Sequence, residues 1–242
     1  MANLTSAQTE FIESVLSYKP LVAAFDCDGT LWSGDAGEGF FSWELELKLK
    51  QRLVPDEIAR WARSRYADYK AGQVAEDVMC GEMVTMHRGL REEVVQQACD
   101  AYFAQAIAAN IFPEMRELVG RLRQSGCDVW AVSSSNQWII RSAMHFFGIP
   151  QDRILAAEVA IENGIITDRL IRVPSGPGKP EAIRSVLKSS LDCAFGNAIW
   201  DREMLAMSGH AFAVNPNPDL KEIAIANDWT VYQPEGSRSG GQ

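Results

Sequence analysis

Apolar runs punctuate this chain of 242 residues at intervals. The first is Leu21-Val22-Ala23-Ala24-Phe25, set between Pro20 and the polar string Asp26-Cys27-Asp28-Gly29-Thr30. A short continuous apolar run bounded by breakers predicts a strand buried on both faces, the kind found in parallel sheets. Asp128-Val129-Trp130-Ala131-Val132, Cys193-Ala194-Phe195, Ala211-Phe212-Ala213-Val214 and Thr230-Val231-Tyr232 repeat the pattern. Between them the period changes to that of helices. Met115, Leu118, Val119 and Leu122 mark a helix that stops at Gly126, and further helices are expected over 137–147, after Pro180 and over 219–227. A lead-in helix over 6–18 carries Phe11, Val15 and Leu16 on one face. Two short β runs within 154–173 flank Asn163-Gly164, a hairpin signal. Repeated strand–helix units predict an α/β fold with an open, doubly wound parallel sheet and a small β-hairpin.

One region breaks this rhythm. From Gly34 to Asn110 the pattern is helical throughout, with helices expected through Ser42–Lys50, from Pro55 through Arg65, and over about 74–87 and 91–107. The reading is a core of residues 1–33 and 110–235, an inserted all-helical unit at 34–109, and a disordered Gly/Ser tail at 236–242.

Composition narrows the class. Hydrophobic residues make up 47% and charged residues 23%, the balance of a soluble globular protein. A net charge of −9 argues against a nucleic-acid or anionic-membrane surface, and no apolar stretch is long enough to span a bilayer. A small phosphorylated molecule stays compatible, because a metal ion and a lysine can reverse the local field. The five cysteines are scattered and form no CxxC pair, and the N-terminus has neither a basic nor an apolar signal segment. Both point to reduced thiols in a cytoplasmic protein.

The chemistry gathers where strands end. Side chains alternate along a strand, so Asp26 and Asp28 project to the same side. Two such carboxylates repel unless they face solvent, share a proton or hold a cation, and a hard oxygen cluster suits Mg²⁺ better than zinc. The string alone is also compatible with a polar exit from a strand. Two other strands end in polar clusters, Ser133–Asn136 and Asn197/Asp201, and open parallel sheets bind ligands at those ends. Each residue also has a bland alternative: Ser133 as a loop residue or helix cap, Lys179 as a solvated loop lysine, Asp201 as an acid at a helix start. His87, His145 and His210 show no ligand-like spacing.

Taken in order, Asp26-x-Asp28-Gly29-Thr30, Ser133, Lys179 and Gly196-Asn197-Ala198-Ile199-Trp200-Asp201 resemble the four motifs of the haloacid dehalogenase-like superfamily of phosphohydrolases, over residues 20–232. The layout is most similar to the phosphoserine phosphatase-like branch. The resemblance implies a Rossmann-like core, with the helical insertion as a type-1 cap, and Mg²⁺-dependent hydrolysis of a small phosphorylated metabolite. In it Asp26 is the nucleophile and forms an aspartyl-phosphate. Asp28 is the acid/base and lends the metal its backbone carbonyl. Ser133 and Lys179 hold the phosphoryl oxygens. Thr30 and Ser134 stand beside the substrate. Asp26, Asp28, Asn197 and Asp201 form the metal site. Asn197 departs from the family, which has an aspartate there; Asp201 is expected to compensate.

The resemblance also implies that Asp35, nine positions after the nucleophile, faces a substrate ammonium. The branch's carboxylate-binding cap arginine has no counterpart: that region reads Glu76–Met83, and Arg88 is out of register. The aromatic and acidic residues of the insertion, if some line the pocket, favour an amine-bearing ester. Two alternatives stand beside the phosphatase: a catalytically weakened phosphate-binding or regulatory module, suggested by Asn197, and a phosphotransferase. A dehalogenase would have no need of Asp28 as an acid.

Overall fold

The computed structural model describes residues 4–46 and 53–235. Helix α1 (Ser6–Ser17) starts at a capping box between Thr5 and Gln8 and leads into strand β1 (Val22–Phe25). Four helices follow: α2 (Ala36–Glu46), α3 (Asp56–Lys70), α4 (Glu76–Thr85) and α5 (Glu92–Tyr102). Residues 4–46 and 53–110 contain no named strand other than β1, as the helical pattern predicts. Then come α6 (Pro113–Gln124), β2 (Asp128–Asn136), α7 (Gln137–Met144), β3 (Ile154–Glu162) and β4 (Ile165–Arg172). The chain closes with α8 (Gly178–Val186), β5 (Cys193–Gly196), α9 (Arg202–Ala206), β6 (His210–Val214), α10 (Pro218–Ala226) and β7 (Thr230–Tyr232).

The strands form one sheet in the order β4-β3-β2-β1-β5-β6-β7, parallel except for the β3–β4 hairpin. β1 sits near the middle, with Phe25 in register with Ala131 of β2 and Phe195 of β5. All four of its residues are buried because alternate side chains serve different layers. Ala23 and Phe25 pack with Phe11, Met115 and Ile140 from α1, α6 and α7; Val22 and Ala24 pack with Ile183, Met204 and Leu220 from α8, α9 and α10. A third, smaller cluster joins Phe41, Leu45, Ala59, Ala62 and Met79 within the inserted helices.

Several boundaries differ from the sequence reading. β2 does not stop at Val132 but continues through Ser133–Asn136, still paired to β3 at Asn136. The hairpin strands are 9 and 8 residues long rather than short. α7 ends at Met144, and α8 begins at Gly178, so Lys179 lies in its first turn and not in a loop. The helix expected through Ser42–Lys50 is observed to Glu46; its remainder and the tail at 236–242 lie outside the described residues.

Candidate active site

The carboxyl ends of β1, β2 and β5 lie side by side, and the side chains that leave them converge. After Asp28 the chain turns sharply at Gly29, whose φ of +76° is in the left-handed region that favours glycine. The turn folds Thr30 back, and its hydroxyl donates to Asp26 Oδ2 at 2.9 Å. Lys179 Nζ donates to Asp26 Oδ1 at 2.7 Å, to Asp201 Oδ1 at 2.5 Å and to the Val132 carbonyl at 3.0 Å. A lysine in a Gly/Pro segment is ordinarily solvated; this one is 2% exposed, with a buried carboxylate on either side. The other oxygen of Asp201 accepts the backbone amides of Asn197 and Ala198, each at 2.9 Å.

One expected role changes on this geometry, that of Thr30. Thr30 is fully buried and oriented toward Asp26, so it positions the nucleophile candidate instead of standing beside a substrate. Asp201, expected to supplement the metal ligands, has both oxygens engaged, one by Lys179 and one by the loop that carries Asn197. The remaining expected residues, Asp28, Asp35, Ser133, Ser134 and Asn197, line the same cleft as Asp26 and Lys179.

Asp28 is held by three donors: the Trp32 indole at 2.9 Å, the Ala36 amide at 2.5 Å and the Ser135 hydroxyl at 2.7 Å. The Ala36 amide belongs to the first residue of α2, so that helix starts beside the Asp26–Asp28 pair. Trp32 itself is fully buried, edge-on to Phe103. Ser133 is 1% exposed, and its Oγ accepts the Ser135 amide at 3.1 Å.

Burial and charge set the protonation of this cluster. Burial, then the Asp201 charge, pushes the Asp26 carboxyl up to about 7, against the opposing pull of Lys179 and Thr30. Burial and the nearby Asp35 raise Asp28 well above the usual carboxylate range, so it can carry a proton. Burial works against the Lys179 ammonium, but Asp201 and Asp26 outweigh it and hold Lys179 charged.

The donor set fits a hard divalent cation. Asp26 and Asn197 offer oxygens, and three carboxylates (Asp26, Asp28, Asp201) stand against one ammonium. A Cβ on Gly29 would overlap the Asn197 amide, so only glycine leaves room for that side chain against the Asp28-Gly29 backbone. Among the described residues no three His, Cys, Asp or Glu side chains cluster as a metal cage.

The cleft, about 250 Å³, runs away from the strand ends between the inserted helices. Glu38, Phe41 and Glu44, spaced by three on α2, share one face and line it. Tyr66 and Tyr69 of α3 and Glu76, Met79 and Met83 of α4 line it too. Among the described lining residues Lys179 is the sole lysine or arginine. Arg88 pairs instead with Asp168 at 2.8 Å on the exposed surface. Helical periodicity in α3 and α4 could have brought Tyr66, Tyr69 and Glu76 to one side, but it does not say which side faces the strand ends.

A buried His87–Glu44 pair was invisible to spacing, because its members are 43 residues apart. His87 Nε2 lies 2.9 Å from Glu44 Oε2, and Nδ1 lies 3.3 Å from the Val84 carbonyl. Donating to both acceptors takes a second ring proton. Burial lowers the ring's affinity for that proton, but Glu44 and the backbone carbonyls outweigh it and raise His87 above its ordinary value of 6.5. A histidine raised on folding contributes stability in full below its unfolded value, and that contribution disappears as pH rises through the folded value. His87→Gln, which leaves Glu44 buried without its cation, is expected to cost about 3–5 kcal/mol near neutral pH. In urea melts the deficit should narrow as the pH is raised from neutral into the alkaline range; a deficit independent of pH would mean that His87 is neutral.

The fold and this cluster define an α/β protein with a buried aspartate–lysine–aspartate centre at the strand ends. Residues 23–206 match the model of the haloacid dehalogenase-like hydrolases, and the chain belongs to that family. A probable phosphatase of Mycobacterium tuberculosis is 30% identical over 160 residues, 64% of this chain and 55% of that protein. The chain thus matches little more than half the length of that relative. A histidinol-phosphatase of Neisseria meningitidis is 25% identical over 221 residues, 87% of this chain and 97% of that one. A substrate-bound phosphoserine phosphatase shares the fold at a TM-score of 0.58 and 17% identity, covering 88% of this chain and 92% of its own.

Proposed function

We propose that this chain is a Mg²⁺-dependent phosphomonoesterase acting on a small, amine-bearing phosphate ester. The observation that carries the reading is Asp26, its two oxygens fixed by Lys179 and Thr30, at the floor of a cleft it shares with Asp28. Asp26 attacks phosphorus while Asp28 protonates the departing alkoxide, leaving an aspartyl-phosphate and a free alcohol. Asp28 then takes a proton from water as its oxygen attacks phosphorus, which releases inorganic phosphate and restores Asp26. Ser133 and Lys179 stabilise the phosphoryl oxygens. Asp26, the Asp28 carbonyl and Asn197 would hold Mg²⁺, which offsets the repulsion between two anions. We read residues 34–109 as a cap over this centre, with Gly34, at φ +93°, in its hinge.

The substrate class follows from charge. Asp35, Glu38 and Glu76 line the cleft, and Glu38 also meets exposed Lys70 at 3.9 Å on the rim. These residues attract an ammonium, and among the described residues no arginine lines the cleft to meet a carboxylate. The Neisseria relative's name agrees with an amino-alcohol phosphate that lacks a carboxylate. Phosphate release from phosphoethanolamine, phosphocholine, L-histidinol phosphate, phosphoserine and an aryl phosphate tests the reading. Amine esters should exceed phosphoserine, EDTA should remove activity and Mg²⁺ should restore it. Phosphate binding without turnover of any ester would favour the weakened module that Asn197 suggests.

Asn197 gives a separate test of the metal assignment. Asn197→Asp restores a charged ligand and should tighten Mg²⁺ binding about tenfold, read by calorimetric titration. Unchanged affinity would remove Asn197 from the metal site.

A further inference from the structure

The acidic wall of the cleft is also aromatic. Tyr66 and Tyr69 stand about one turn apart on α3 and line the cleft together with Phe41 of α2. Their rings adjoin: the Phe41 and Tyr66 centroids are 5.3 Å apart at 49°, and those of Tyr66 and Tyr69 are 5.9 Å apart at 41°.

Each tyrosine hydroxyl is committed to a carboxylate. Tyr69 donates to Glu76 Oε2 at 2.7 Å, and the Tyr66 hydroxyl has Glu38 as its side-chain partner. Burial first, and then these glutamates, raise both phenols, so both keep their protons and act as donors. A phenol that donates to an anion gains electron density on its ring, which strengthens the pull of the ring face on a cation. The carboxylates, in turn, are partly used. Glu76 Oε1 has the Ser175 hydroxyl at 3.5 Å, and Asp35 Oδ1 accepts the Glu38 amide at 2.7 Å. The wall offers negative potential and π faces rather than a set of free acceptors.

The chain's own cation shows what such a pair can hold. On the exposed rim, Lys70 Nζ lies 3.9 Å from Glu38 Oε1 and 5.6 Å from the centre of the Tyr66 ring. Deeper in the cleft the form of the ammonium matters. A primary ammonium has three N–H donors and loses strong hydration on entry unless each finds an acceptor. A quaternary ammonium has no N–H, spreads its charge over methyl groups and is suited to ring faces.

We propose that the Phe41, Tyr66 and Tyr69 rings, with the Glu38 and Glu76 carboxylates, form an ammonium subsite that prefers a quaternary to a primary ammonium. This inference rests on the phosphatase reading and narrows its leaving group to a choline-type amino alcohol. The three aromatic residues and the two glutamates are specificity residues and take no part in phosphoryl transfer.

The test compares kcat/KM with Mg²⁺ for phosphocholine, for phosphoethanolamine and for the neutral analogue of phosphocholine in which carbon replaces nitrogen. Wild type should turn over phosphocholine about tenfold better than either of the others. Tyr66→Leu and Tyr69→Leu should each lower the advantage over the neutral analogue about tenfold, mainly through KM, whereas Tyr66→Phe, which keeps the ring, should retain most of it. A wild type that prefers phosphoethanolamine would overturn the subsite and leave the phosphatase reading intact. So would equal turnover of phosphocholine and its neutral analogue, which would mean an apolar pocket only. Equal losses on all three esters in both leucine variants, the outcome of a purely structural role, would overturn it too. Should a leucine variant fail to fold by circular dichroism, the wild-type order of the three esters decides. A wild type that hydrolyses no ester at all, the aryl phosphate included, would instead overturn the phosphatase reading, and the subsite with it.

Discussion

Asp26→Asn is expected to abolish phosphate release while leaving the melting profile close to wild type. An amide cannot attack phosphorus, so the covalent route closes completely instead of slowing. The fold should tolerate the change because asparagine keeps the shape, and its carbonyl can still accept from Thr30 or Lys179. Removing a buried carboxylate next to Asp201 also relieves a repulsion, since that neighbour and burial both raise Asp26. Beryllofluoride, which mimics the phosphoryl group, should bind wild type with Mg²⁺ and fail to bind Asp26→Asn. Undiminished turnover in the pure variant would sink the mechanism.

Lys179→Met has the second large effect, and it acts on two properties at once. The ammonium is the one positive charge between two buried carboxylates, and methionine replaces it at similar length. Breaking a buried pair by removing one partner costs about 3–5 kcal/mol, so the variant should melt well below wild type. Losing a preorganised charge next to the phosphoryl group should also lower kcat by a factor on the order of 100–1000. Asp201→Asn separates the two effects, because it leaves Lys179 in contact with Asp26. Its activity should fall less than that of Lys179→Met. Equal activity losses in the two variants would mean that Lys179 acts only through Asp201.

The chain's local patterns carried most of the architecture. The apolar runs that became β1, β5 and β6 read clearly because parallel strands covered on both faces need unbroken apolar residues. Helices α3 and α5 read clearly because amphipathic helices repeat at short range. Ser133–Asn136 did not read as strand, since serine and asparagine ordinarily mark a loop; pairing to β3 and burial override that preference. Lys179 was placed in a loop for the same kind of reason, and only the two carboxylates from distant segments explain its burial. The site divides along the same line. Asp26, Asp28, Asp35 and Asn197 lie in or near motifs whose spacing points to the strand ends. Tyr66, Glu76 and Glu44 come from three different helices and His87 from the turn after α4, and their meeting depends on how those helices pack. No spacing rule encodes that contact.

The central claim is that Asp26 carries the phosphoryl group between substrate and water. The direct measurement is acid quench of wild type during turnover of its best ester with Mg²⁺, followed by mass spectrometry of the peptide that contains Asp26. The predicted result is one phosphoryl group on Asp26, lost on treatment with hydroxylamine and missing from Asp26→Asn. Steady turnover with Asp26 never modified, or with the phosphoryl group on another residue, would contradict the account.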